Sequence, residues 1–372
     1  MLWACGNRSR SRYNGLKPQR RVPVNRSNKF KWPLLIALAV VLAAFAWLWF
    51  GFADRPLPNV HKDDSIVLDS GEGLGSVTEK LAAKDQLHGA SWQWRLLGMQ
   101  TGAAGKLKVG EYELAPGITP RQLLLNMRDG KIIVHKVTLV EGKTFRDFRR
   151  TLDANAVLKH NTKGLDDAAI MAKLGASGVH PEGRFLPDTY VFHRGDTDLD
   201  LMKHAMTAMT TALDEAWQSR AADVNLSSKD QLLTLASIVE KETGTPEERP
   251  EIAGLFLGRL KTGMRLQTDP TVIYGMGASY NGNITKADLL RDTPYNTYTR
   301  TGLPPTPIAM PGKAALQAAA QPASTDKVYF VAIGDGSGKH YFAKTYAEHQ
   351  ANVAKYIRTQ RETNARRSAE AK

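Results

Sequence analysis

The run from residue 230 to 270, DQLLTLASIVEKETGTPEERPEIAGLFLGRLKTGMRLQTDP, decides how the chain is read. At about 100° per residue, Leu232, Leu233, Leu235, Ala236, Ile238 and Val239 form a broad apolar face, which predicts a buried helix. Glu240 and Glu242 stand on opposite edges of that face, and helical geometry alone does not choose between them. The helix terminus does. Gly244 occupies the place of a C′ residue, so Glu242 falls in the last turn, where unpaired carbonyls disfavour a carboxylate. Burial beside Leu235 and Ile238 would raise its pKa further, the condition for a carboxylic acid still protonated near neutral pH. Glu242 is therefore the expected general acid and Glu240 a structural or supporting group. The bland alternative is a solvated helix-end glutamate paired with Lys241 or Arg249.

At 372 residues the chain is long enough for about two domains. Its net charge of +13 is unevenly placed. Arg8, Arg10, Arg12, Lys17, Arg20, Arg21, Arg26, Lys29 and Lys31 precede residue 33, with no acid among them. Residues 33–53, PLLIALAVVLAAFAWLWFGFA, carry no charge, and 21 helical residues reach roughly 30 Å, one bilayer core. A transmembrane helix is expected there, with Trp47, Trp49, Phe50 and Phe52 at one interface. The basic tail then faces the cytoplasm by the positive-inside rule, and everything after residue 54 lies outside. Topology and anionic headgroups account for the basic excess, so no nucleic-acid partner is expected. Cys5, the single cysteine, lies in that tail, which leaves the outer body neither disulfides nor a thiol nucleophile.

Residues 54–64 read as a linker. Beyond it a pattern occurs twice. Val67 and Leu68 with Gly71, Leu74, Val77, Leu81 and Leu87 are matched, 71 positions on, by Thr138 and Leu139 with Gly142, Phe145, Phe148, Leu152 and Leu158. Each copy predicts a strand, a glycine turn and a helix. A partial third runs from Tyr112 to Met127, with Thr119 as N-cap. Such units resemble the small glycan-binding modules called LysM.

PEGRFLPDTY (181–190) is a defined loop, since its prolines cannot continue a helix. Residues 197–220 predict a helix through Leu199, Met202, Ala205, Met206, Met209 and Leu213. QTDPTVIYGMG (267–277) and DTPYNTYTRTGLPPTPIAMPG (292–312) are rich in Pro, Gly, Thr and Tyr, the composition of ordered functional loops. A short helix over AALQAAAQPA follows, then a hairpin pairing 327–333 with 340–342, and residues from Thr359 read as a polar, frayed tail. The nine histidines do not pair at ligand spacing, so no metal is expected; no cofactor is implied either. G-x-S-x-G is missing, which removes the usual serine nucleophile elbow. Acid chemistry remains.

The single apolar anchor together with PEGRFLPDTY, LASIVEKET, GMRLQTDPTVIYG, YNTYTRTGLPPTPIAMPG and the late YFVA hairpin resembles the endolytic murein transglycosylases, the YceG-like family. The resemblance covers about residues 33–356. It implies an α+β fold: one N-terminal transmembrane helix, a small LysM-like α/β subdomain over 65–136, a mixed helix and strand catalytic domain over 137–356, and a polar tail over 357–372. The catalytic acid of this family is the second glutamate of E-x-E-T, here Glu242. The implied activity is cleavage of the MurNAc–GlcNAc bond in nascent glycan strands, leaving 1,6-anhydro ends. Glu182, Arg265, Gln267, Asp269, Tyr295, Asn296 and Tyr298 are the candidate substrate-binding residues, with no metal. Implied partners are peptidoglycan, the inner membrane, and cell-wall synthases or divisome proteins; the body would lie in the periplasm. Leu186 and Met310 stand where the family favours an aromatic and Asn or Thr, which bears on loop packing. Two other readings are kept: a hydrolytic muramidase with Asp269, Glu240 or Glu182 as second carboxylate, and a non-catalytic glycan-binding scaffold.

Overall fold

The computed structural model describes residues 31–370. The basic tail, including Cys5, lies outside the described residues apart from Lys31 and Trp32. In chain order the elements begin α1 (Lys31–Ala53), β1 (Ser65–Leu68), α2 (Leu74–Ala83), α3 (Ser91–Gln100), β2 (Gly110–Glu113), α4 (Pro120–Asp129), β3 (His135–Thr138) and α5 (Phe145–Asp153). They continue α6 (Asp167–Lys173), β4 (Thr189–Phe192), α7 (Asp198–Gln218), α8 (Lys229–Glu242), α9 (Arg249–Lys261) and α10 (Asp269–Met276). The last are α11 (Lys286–Leu290), α12 (Lys313–Ala320), β5 (Tyr329–Ala332), β6 (His340–Ala343) and α13 (Tyr346–Glu370). The fold is mixed α and β. Among the described residues the strands form three two-stranded sheets, β1 with β2, β3 with β4 and β5 with β6.

Two compact units result. Among the described residues, one comprises 31–66 with Ser70–Lys108 and Leu114–Asp129; the other comprises Val67–Asp69, Val109–Glu113 and 130–370. In the first unit, α1 spans 23 residues, long and apolar enough to cross a membrane. Most of it is exposed, yet Trp49, Phe52 and Ala53 in its last turns are buried. The Phe52 ring meets Trp94 and His88 edge-on at 5.7 and 5.6 Å. Gly89 must lack a side chain here: its φ is +80°, and a Cβ would lie 2.4 Å from the Phe52 ring. The predicted strand, glycine and helix order holds in both full copies. Gly71 (φ 85°) and Gly142 (φ 70°) make the left-handed turn that glycine adopts without steric cost. Val77 and Leu81, then Phe145, Phe148 and Leu152, turn the following helices inward. Thr119 caps α4 as expected, its hydroxyl accepting from the Gln122 N–H at 3.2 Å.

The second unit is built around α8. Leu232, Leu233, Leu235, Ala236, Ile238 and Val239 are all fully buried, and burying each Leu, Ile or Val is worth about 1.5–3 kcal/mol. α8 packs on α7, α9, α10 and α12, and Ser228 caps it by accepting the Gln231 N–H. A second apolar cluster joins β3, α5, α6, Phe185 and the first half of α7, a helix started by the Thr197 and Asp200 capping box. β3 and β4 run antiparallel with His135 opposite Phe192 and Thr138 opposite Thr189, and β5 and β6 form the expected hairpin. Leu186 and Met310 are both buried, each joining one of the two clusters.

Two expectations are corrected. Gly244 is not the left-handed C′ residue: α8 ends at Glu242 because Thr243 is extended (φ −139°, ψ 133°), its hydroxyl accepting the Thr245 N–H at 2.9 Å. The stretch after Thr359 is polar, as read, but helical through Glu370. Residues 346–370 hold no Gly or Pro and are rich in Ala, Arg, Glu and Gln, all good helix formers.

Candidate active site

Glu242 is the last residue of α8, and the last turn is fixed by the core below it. Its carboxyl accepts a hydrogen bond from the Thr268 hydroxyl, its one hydrogen-bonding partner among the described residues. Burial pushes its pKa up to about 7; the Thr268 bond opposes this, the nearby Asp269 charge adds to it, and Arg259 works against it. The side chain is nevertheless only partly covered. Neither of the cations considered as its partner takes it: Lys241 donates to the Gly142 carbonyl at 3.3 Å, and Arg249 lies 3.8 Å from Glu240.

Glu240, two residues earlier, is committed elsewhere. Its side chain is 6% exposed and accepts the Gly312 N–H at 3.0 Å, tying α8 to the start of α12. Burial raises its pKa, while the Gly312 bond and Arg249 hold it back.

Thr268 precedes α10 and is itself fixed by the loop that follows. Its N–H donates to the Thr297 hydroxyl at 3.1 Å, and that hydroxyl pairs with Thr271 Oγ1 at 2.8 Å. The Gln267 N–H reaches the Thr297 carbonyl at 3.2 Å, with Gln267 itself in a left-handed conformation (φ 50°). Asp269 is exposed and accepts from the Tyr298 hydroxyl at 2.6 Å. Arg265 is exposed and donates to the Tyr298 carbonyl at 3.1 Å. Thus Glu242, Gln267, Asp269, Arg265 and Tyr298 belong to one network of α8, α10 and the 293–300 loop. Asn296 is different. Buried to 1%, its amide donates to the Asp288, Leu289 and Arg291 carbonyls and its oxygen accepts the Tyr298 N–H, so it organises the loop from within.

Glu182 sits in the 181–190 loop at 3% exposure. Its carboxylate accepts the Phe145 N–H at 2.9 Å, at the start of α5, and the Tyr274 hydroxyl at 3.0 Å. Burial raises its pKa to about 7 as well, against both hydrogen bonds. Gly183 beside it has φ +79°, and a Cβ would come within 2.7 Å of Pro307. Tyr274 stacks edge-on with Tyr295 at 4.8 Å, and the Tyr295 hydroxyl pairs with Thr306 at 2.9 Å. These rings, with Glu182, Phe145 and His180, line a cavity of about 440 Å³. Glu242 is not among its lining residues, so this cavity and the freer acid do not coincide.

Sequence reasoning missed Thr268, Thr297, Tyr274 and Arg259. Arg259 is 5% exposed and donates to the Val328 carbonyl at 2.7 Å and to the Leu266 carbonyl, which brings a buried cation near Glu242. The available signal was one cation, Arg259, inside the apolar helix IAGLFLGRL. Asp153, His160 and Asp198 offer ligand atoms within 4.8 Å of one another. Asp198 already accepts from the N–H groups of Asn161 and Thr162 and from the Thr162 hydroxyl, the pattern of a structural carboxylate.

The profile of the YceG-like family matches residues 66–355. A protein of Bacillus subtilis (strain 168) named endolytic murein transglycosylase is 30% identical over 334 residues, covering 84% of this chain and 91% of the relative. One of the same name from Streptococcus pneumoniae (strain D39) is 30% identical over 287 residues, 68% of this chain and 51% of the relative. Among solved structures, a crystal structure of a YceG-like protein from Listeria monocytogenes matches 77% of this chain and 98% of its own at 28% identity, with a TM-score of 0.49. With most of its length matched by the profile and by a relative at this identity, the chain belongs to the YceG-like family.

Proposed function

We propose that this chain is an endolytic peptidoglycan lytic transglycosylase, anchored in the inner membrane by α1 and acting on nascent glycan strands in the periplasm. The family and the names of its relatives support the enzyme class. The observation that carries the chemistry is the state of Glu242: a carboxyl with a pKa near 7, one hydroxyl donor, and a side chain only partly covered.

Such a group serves first as an acid. Glu242 protonates the oxygen leaving C1 of the muramic acid as the MurNAc–GlcNAc bond breaks. Now a carboxylate, it accepts the Thr268 hydrogen bond more strongly and removes the proton from the 6-hydroxyl, which closes on C1 to give the 1,6-anhydro ring. No water is consumed, and a single carboxyl suffices. Asp269, near enough to raise the pKa of Glu242, and the Tyr298 hydroxyl bound to it face the charge that develops on the sugar ring. Arg265 and Gln267 provide exposed polar groups for the muramyl substituents, and Tyr295 an aromatic wall. Asn296 shapes the loop, and Glu240 holds α12 to α8. Residues 65–136 form the LysM-like part, which would present glycan to the catalytic domain over 137–356; synthases or divisome proteins are the partners this placement suits.

Asp269 also favours a second reading, a hydrolase in which it activates water. Mass spectrometry of glycans digested by the full chain separates the two. Anhydro ends that disappear with Glu242→Gln support the proposal. Reducing ends, one water heavier, would replace it with the hydrolase, and unchanged glycan cleavage by the variant would remove Glu242 from the mechanism.

A further inference from the structure

The helix α3, SWQWRLLGMQ, is apolar on two sides. Trp94, Leu97 and Gly98 are buried in the first unit. On the opposite side Trp92 is 56% exposed and Met99 64%, with Leu96 half-buried between them and Arg95 exposed at the edge. At 100° per residue, Trp92, Leu96 and Met99 fall within one narrow stripe. The helix contains one cation and no acid.

Both ends of α3 are tied to the last turn of α1. At its start, Phe52 packs on His88, Gly89 and Trp94, and the His88 ring pairs with the Arg55 carbonyl at 3.1 Å. At its end, the Gln100 side chain accepts from Arg121 at 3.4 Å, and the same guanidinium holds Asp54 at 2.7 and 3.2 Å. Phe52 and Asp54 differ by only about 3 Å along the axis of α1, whereas the ten residues of α3 span about 15 Å. The helix therefore runs across α1, not along it. The apolar run reaches Ala53, and Trp49, one turn before its end, is already down to 9% exposure. The first unit thus encloses the final turn of the apolar span and cannot stand clear of it on a flexible stalk.

We propose that α3 is an interfacial helix lying in the surface of the bilayer from which α1 emerges, with Trp92, Leu96 and Met99 seated at the boundary of headgroups and acyl chains. The inference rests on the reading of α1 as a membrane span. It identifies the occupant of the stripe as lipid: the stripe shares the depth of the span's last turn, tryptophan favours that boundary, and Arg95 extends its apolar stem there while meeting anionic headgroups. Two attachments, α1 and α3, then fix the rotation of the first unit about the span.

The test uses the full chain with Cys5→Ser, reconstituted in phosphatidylethanolamine and phosphatidylglycerol vesicles. A fluorophore is placed on one cysteine at a time: Met99→Cys or Trp92→Cys in the stripe, Val41→Cys in the middle of α1, and Lys203→Cys on the exposed face of α7 as the solvent reference. Nitroxide lipids labelled near the headgroup should remove most of the emission at positions 99 and 92, at a depth of about 5–10 Å, and leave position 203 bright. Lipids labelled deep in the acyl chain should quench position 41. Positions 99 and 92 as bright as 203, with 41 quenched, would overturn the interfacial helix while leaving the span intact. Loss of deep quenching at 41 would overturn both.

Discussion

Glu242 and Glu182 make an instructive pair. Both are glutamates of the second unit, and burial raises both to a pKa of about 7. Glu182 spends its two oxygens on the Phe145 N–H and the Tyr274 hydroxyl at 3% exposure, so its proton has little access to a substrate. Glu242 has one hydroxyl donor and remains partly open. A perturbed pKa marks a group in an unusual place; the bonding capacity left over marks one able to act. The sharpest way to break this distinction is activity. Glu242→Gln should lower glycan cleavage by about 10²–10⁴-fold, the usual worth of a general acid and base, whereas Glu182→Gln, which keeps an acceptor for Phe145, should lose far less. Equal losses in anhydro-product formation would erase the difference.

The second comparison is of stability. Glu182→Ala leaves the Phe145 N–H and the Tyr274 hydroxyl unpaired in a buried loop, at a cost of about 3 kcal/mol. Glu242→Ala strands only the Thr268 hydroxyl and should cost less. Urea denaturation of the two variants checks the order. Acidity gives a third, smaller contrast. Between the unfolded value of 4.5 and the folded value of about 7, folded Glu242 holds its proton more tightly than the unfolded chain does. Its contribution to stability therefore falls as pH rises through that window and is fully restored below it. Glu242→Gln should gain on the native chain by roughly 3 kcal/mol between pH 4.5 and 8, read as a widening gap in unfolding midpoint. A gap that closes with rising pH would contradict the raised pKa.

Much of this site was legible because its signals are local. Helical spacing in LASIVEKE placed Glu242 at a helix end over a buried face, and motif order tied it to the polar run after Leu266. The strand, glycine and helix copies were visible in the same way, since a left-handed turn demands glycine at Gly71 and Gly142. Partners distant in sequence were not legible. The separation between Glu240 and Gly312 is 72 residues and that between Glu182 and Tyr274 is 92, so no periodicity links them. Asn296 is a candidate from its side-chain type and its place in YNTYTRTG; its carbonyl partners come from a helix and turn whose path the sequence does not reveal. The end of α8 was placed correctly for a wrong reason, through Gly244, when the extended Thr243 terminates it.

Thr268 refines the comparison at its finest point, because it is the one donor that separates Glu242 from an empty carboxyl. Its hydroxyl favours the charged form of Glu242 and so lowers a pKa that burial raises. Thr268→Val keeps the shape and the N–H to Thr297, and α10 loses no side-chain cap, since Thr268 makes none. Without the hydroxyl the carboxyl should hold its proton to higher pH. A hydrogen bond to a charged group is worth about 1.5–3 kcal/mol, so the basic limb of the kcat/KM profile should move up by about one to two pH units. The same change on the Glu182 side, Tyr274→Phe, removes one donor from a carboxylate that keeps another, and should leave that limb in place. A limb that moves with Tyr274→Phe and not with Thr268→Val would transfer the titrating acid from Glu242 to Glu182.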